Sequence, residues 1–122
     1  MRSMIIALVL DHDENIVPII DGTIVRIYDT ESGKYQDYPN PALHLKEGRR
    51  GAVLRFAQEK GAAVFASPPK TFCELSYAKA QENHIQFCQL DGPITFDAFQ
   101  ELFNNGKILI KDHLPAQEIV PS

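Results

Sequence analysis

Residues 4–10, Met-Ile-Ile-Ala-Leu-Val-Leu, form a run without a polar side chain. A half-exposed strand would alternate, so an unbroken apolar run predicts a central strand covered on both faces. The run is much shorter than the roughly 20 apolar residues of a membrane span, and no small-residue cleavage site follows it. It therefore reads as a strand and not as a signal peptide. Asp11-His12-Asp13-Glu14-Asn15 closes it as a polar loop. At 122 residues the chain has the size of one ordinary domain with a real core.

Downstream, residues 16–20 are apolar but hold Pro18, which predicts an irregular or edge segment. After the Asp21-Gly22 turn, residues 23–29 read as a strand, with Val25 and Ile27 on one face and Ile24, Arg26 and Tyr28 on the other. Glu31-Ser32-Gly33-Lys34 is a hairpin turn, and residues 35–38 return as a more exposed strand. Residues 42–47 connect to a helix over 48–60 whose apolar face is Ala52, Val53, Phe56 and Ala57, with Gly61 suited to its C′ position. A buried strand follows over 62–66. A second helix over 72–82 is expected to bury Phe72, Leu75 and Ala78, and another strand spans 85–90. Thr95 is the expected N-cap of a third helix that buries Phe96, Phe99, Leu102 and Phe103, and Asn104-Asn105-Gly106 ends it.

This order, β-β-β-α-β-α-β-α, predicts an α/β fold: a mixed five-stranded sheet with helices packed on it. Residues 1–106 are expected to form one domain and residues 107–122 a C-terminal tail. Within the tail, Ile108, Leu109 and Ile110 lie between Lys107 and Lys111. Such a run predicts an edge strand added to its own sheet, or to a second copy in a homodimer.

A net charge of −4 argues against a nucleic-acid backbone as the main partner. Two cysteines, Cys73 and Cys88, make no disulfide framework and no C-x-x-C pair, so a reduced, cytoplasmic setting is the simpler expectation. No membrane partner is expected.

Chemistry concentrates where the strand over 62–66 meets the second helix, at Ser67-Pro68-Pro69-Lys70-Thr71-Phe72-Cys73-Glu74. Strand-to-helix turns lie at the carboxyl edge of α/β sheets, where ligands bind. Thr71 and Glu74 have the T-x-x-E spacing of a capping box, which makes Thr71 the expected N-cap and puts Cys73 in the first turn. A thiol there can have a lowered pKa and act as nucleophile or metal ligand, although a free cysteine is more often a small buried hydrophobe. His12 follows the first strand and His44 precedes the first helix, so Cys73, His44 and His12 are the candidate metal ligands; solvated loop histidines are the plain alternative. Ser67 and Lys70 complete the candidate cofactor-binding set. Arg49 and Arg50, with Lys70, could form an anion site. A nuclease would need a second metal-binding carboxylate beside Asp11 or Asp13, and the turn after residue 66 offers none. No enzyme activity is expected.

The strand over 5–9, Gly22, Ile27-Tyr28-Asp29, the hairpin at 31–34, Asn40-Pro41, Gly51-Ala52 and Phe99-Gln100-Glu101-Leu102 together resemble the dinitrogenase iron-molybdenum cofactor biosynthesis family, that is, NifX-type domains and the C-terminal domain of NifB-type proteins. The resemblance covers roughly residues 4–103. It implies a ribonuclease-H-like fold and a non-enzymatic accessory or carrier role for an iron–sulfur or iron-molybdenum cofactor intermediate, with a cofactor-assembly or other protein as partner. The family's glycine-rich turn is replaced here by Ser67-Pro68-Pro69-Lys70, so side chains, more than backbone amides, would do the holding. The alternative is an interaction or regulatory domain that keeps the fold without a metallocluster.

Overall fold

In the computed structural model, which describes residues 4–122, the elements in chain order are β1 (Ile5–Leu10), β2 (Asn15–Ile16), β3 (Ile24–Asp29), β4 (Tyr35–Pro39), α1 (Arg49–Glu59), β5 (Val64–Ser67), α2 (Glu74–Glu82), β6 (Gln86–Gln89), β7 (Ile94–Thr95), α3 (Phe96–Asn104) and β8 (Ile110–Lys111). Short 3-10 turns occupy Ile19–Asp21, Pro41–His44 and Ala116–Glu118.

Both edges of β1 are taken. It pairs antiparallel with β3 from Ile5–Asp29 to Leu10–Ile24, and parallel with β5 at Ile6–Val64 and Ala7–Phe65. Beyond β5 the same edge is extended by β2 at Leu10–Ile16, and β2 carries β7. The sheet order is β4-β3-β1-β5-β6-β8, with β2 and β7 off that path. The five longer strands and three helices follow the expected order. The expected count of five strands falls short, because β2, β7 and β8 are each only two residues long and enlarge the mixed sheet to eight. Such short bridges leave no period-2 signature to read. β8 pairs antiparallel with β6 through Phe87–Lys111 and Cys88–Ile110, so the run between Lys107 and Lys111 lies on the chain's own sheet.

Alternation along β1 feeds two cores. Ala7 and Val9 join Val25, Phe65 and Phe87 beneath α1 and α2, which contribute Val53, Leu54, Ala57 and Ala80. Ile6, Leu8 and Leu10 join Tyr28, Val64, Ala66 and Cys88 beneath α3, which contributes Phe96 and Phe99. Local signals end the helices where expected. Thr95 Oγ1 accepts from Ala98 N at 3.1 Å at the start of α3, and Gly61 and Gly106 take positive φ after α1 and α3.

The approach of the β2–β3 connection to β1 leaves no room at Gly22. A Cβ there would run into the Val9 side chain and lie 2.7 Å from the Leu10 carbonyl oxygen. Gly22→Ala is expected to cost about 1–3 kcal/mol through overpacking. Phe99→Ala, which empties the centre of the α3 core, should cost about 3–5 kcal/mol. Urea midpoints of the two variants check both values, and an unchanged midpoint would contradict the packing described.

Candidate functional site

The turn after β5 ties itself up. Ser67 is fully buried, and its hydroxyl donates to the Phe65 carbonyl at 2.9 Å. Thr71 is also buried, and its Oγ1 donates to the Pro68 carbonyl at 2.7 Å. With that hydroxyl engaged by the turn, Thr71 is not the N-cap; Cys73 is. The Cys73 amide donates to Ser76 Oγ at 2.9 Å, and its sulfur lies 3.2 Å from the same oxygen. The capping box is therefore Cys73–Ser76, not Thr71–Glu74. Starting α2 at Glu74 also turns its faces: Ser76 and Ala80 point inward, while Leu75, expected in the core, is 74% exposed and Ala78 is exposed as well.

A distant segment covers this turn. Val120 pairs parallel with Cys73: its amide donates to the Phe72 carbonyl, and its carbonyl accepts from the Glu74 amide, both at 3.0 Å. The Lys70 amide donates to the Glu118 carbonyl at 2.8 Å, and the Leu75 amide to Ser122 Oγ at 2.9 Å. Residues 118–122 thus satisfy three backbone amides between Lys70 and Leu75.

Beside Cys73 lies a hollow of about 440 Å³ between the starts of α1 and α2. Lys46, Arg49, Arg50 and Lys79 line it with one acid, Glu47; Ser76, Leu75 and Ser122 complete its wall. α1 begins at Gly48, with positive φ, no side-chain cap and no acid in the first turn. Its leading amides and two arginines therefore add positive character in one place. Among the described residues Arg50 Nε is buried without a hydrogen-bond partner. The thiol feels this setting. Burial pushes its pKa up, but hydrogen bonds from Ser122 and Ser76 and the nearby Arg50 guanidinium together outweigh burial and lower it from 9.0 to about 7. Burial alone raises Cys88 to about 12.

The other sequence-predicted residues do not meet here. His12 and His44 are exposed, on the β1–β2 loop and the Pro41–His44 turn, and neither lines the hollow. Among the described residues no group of three or more His, Cys, Asp or Glu could hold a metal ion, so Cys73, His44 and His12 do not form one ligand set. The reason is local: each histidine belongs to a loop held by its own contacts. Asp11 Oδ1 accepts from the Asp13 and Asn15 amides at 3.0 and 2.9 Å, and Asn40 caps the Pro41–His44 turn. Lys70 is exposed, and like Ser67 it lies outside the lining, whereas Arg49 and Arg50 are part of it. Sequence reasoning missed Lys46, Ser76, Lys79 and Ser122. A polar residue three positions after Cys73 was a legible sign for Ser76; Ser122 reaches the site only through tertiary pairing. Among the described residues no helix is long and apolar enough to cross a membrane.

No family model matches this sequence, and no curated protein matches it. Solved structures do share its fold. The apo form of the orange protein from Desulfovibrio gigas superposes with a TM-score of 0.74 at 15% identity, covering 89% of this chain and 93% of that one. A candidate dinitrogenase from Methanocaldococcus jannaschii superposes with a TM-score of 0.60 at 17% identity, covering 90% and 96%.

The two thiols give stability opposite pH dependences. A folded Cys73 loses its proton near pH 7 and an unfolded one near 9.0, so between these values unfolding takes up a proton and stability rises with pH. Above 9.0 the unfolded Cys88 ionises while the folded one does not, and stability falls again. Urea unfolding across this range should show the rise lost in Cys73→Ser and the fall lost in Cys88→Ala. In the folded wild type, alkylation of Cys73 should titrate with a midpoint near 7, moving up in Ser76→Ala.

Proposed function

We propose that this chain is a non-enzymatic accessory or carrier domain that holds an anionic cofactor intermediate, an iron–sulfur or iron-molybdenum cluster, as cargo in the hollow beside Cys73. The observation that carries the reading is the meeting of one acidified thiol with Arg49, Arg50, Lys46 and Lys79 around a single hollow. The donor set suits cargo that brings its own ligands. One thiolate cannot build a cluster on the protein, but it can grip a finished one while the cations balance its charge. Arg50 Nε, buried and unpartnered, offers a donor to such an anion. The fold adds support: the orange protein was solved in its apo form, so that protein has a state with something bound, and the second neighbour is a candidate dinitrogenase.

Holding suits this site better than catalysis. No histidine lines the hollow to serve as a base for Cys73. Asp11, the acid a nuclease would use, is occupied in shaping its loop. A specific observation also favours the second reading, an interaction or regulatory domain without a metallocluster: the hollow offers a single thiol.

Anaerobic incubation with a preformed cluster, followed by desalting and iron analysis, separates the two. The wild type should retain iron. Cys73→Ala should retain none, and Arg50→Gln should bind about tenfold more weakly, with affinity falling as salt rises. Equal retention by wild type and Cys73→Ala, or none by either, would favour the interaction domain.

A further inference from the structure

Residues 118–122 do more than cover a turn. The Ser122 hydroxyl accepts from the Leu75 amide and lines the hollow beside Cys73, so it occupies a donor that an anion in this hollow would use first. The segment therefore behaves as an internal stand-in for a ligand. Its attachment is light. Leu114 is fixed by burial and by its amide donating to Tyr77 Oη at 2.8 Å, but no side chain from Pro115 to Ser122 is buried. Backbone pairing at Lys70, Phe72 and Glu74 holds it, together with the half-buried Ile119 side chain against the α1 and α2 core. Its own position carries a cost: Glu118 Oε2 accepts from Gln89 at 2.9 Å, while Oε1 is buried without a partner among the described residues. Lifting the segment would return that carboxylate to water.

We propose that residues 118–122 are a displaceable strap that closes the Cys73 hollow and lifts to let cargo enter or leave. This rests on the carrier reading for the identity of what passes, but not for the motion itself. Lifting frees the Leu75 amide, which borders the hollow, so the ligand and the strap compete for that donor. Occupancy is then set by that competition as well as by the charge of the hollow.

Two measurements on the full chain test this. In native-state hydrogen exchange of the wild type, the Lys70, Glu74 and Val120 amides should exchange roughly a hundredfold sooner than those of Ala7 and Leu8, through an opening insensitive to low denaturant. In Val120→Pro, which removes the amide donating to Phe72, iodoacetamide should label Cys73 about fivefold faster at about pH 10, where the thiol is ionised in either protein and the rate reports access alone. Exchange of those three amides only together with the β1 core, or labelling no faster in a folded Val120→Pro, would overturn the strap. A wild type that takes up no cluster would overturn the carrier reading and leave both measurements standing.

Discussion

β1 has no free edge and almost no free face. Its backbone is bonded to β3 on one side and to β5 and β2 on the other, and Ile6 to Leu10 are at most 1% exposed. Apolar side chains on both surfaces of one strand can be dried only by a layer on each, and the later elements supply them. The parallel step from β5 to β6 runs through α2, and a right-handed crossover fixes which face α2 takes. α1 lies beside it in the same core, leaving the other face to α3. With α1 and α2 side by side, their N-termini meet at one end of the sheet. The cationic hollow is therefore a consequence of how the central strand is covered.

Two arginines show how pairing separates a structural cation from one open to a ligand. Arg26, on β3, is 3% exposed, and its partners are complete. Asp37 grips it with two bonds of 2.7 and 2.9 Å, Glu14 adds a third at 2.9 Å, and its guanidinium lies 3.8 Å from the Tyr35 ring centroid and 4.6 Å from that of Phe96. That arrangement ties β3, β4, the β1–β2 loop and the start of α3 together. Removing any partner would strand a buried charge, so the cluster serves as architecture. Arg50 has the opposite character: its Nε is buried with no acceptor, and it lies beside a thiol and a hollow. The difference lies in the completeness of pairing, not in the residue type.

The same distinction explains what could be read from the sequence. Periodicity gave the two faces of β3, the inward positions Phe96 and Phe99 of α3 and the covered strand at the centre, because each depends on neighbours along the chain. Caps and stops at Thr95, Gly61 and Gly106 were legible for the same reason. The start of α2 was misread because T-x-x-E at Thr71 and C-x-x-S at Cys73 offer overlapping boxes. The Thr71–Pro68 bond, which decides between them, depends on how a two-proline turn folds. Leu75 followed that error outward. His12 and His44 were grouped with Cys73 on loop position alone, and the loops hold them apart. The strap left no periodic signal, since most of its pairing is by backbone groups common to every residue.

The two thiols make a last point about how the fold assigns chemistry. Cys88 sits on β6 in the α3 core, where burial holds its proton to about pH 12 and leaves it a small hydrophobe. Cys73, half-buried at a helix start, keeps enough water and enough hydrogen-bond donors to ionise near 7. In the proposed carrier role, a single thiolate poised there would hold an anionic, metal-containing ligand less tightly than a full set of cysteines would, and it can be neutralised by one proton. The cations around it attract charge without bonding covalently to it. Weak, reversible and charge-selective contact would suit the proposed handing over of cargo, whereas permanent residence would call for converging ligands that the histidine loops do not provide among the described residues.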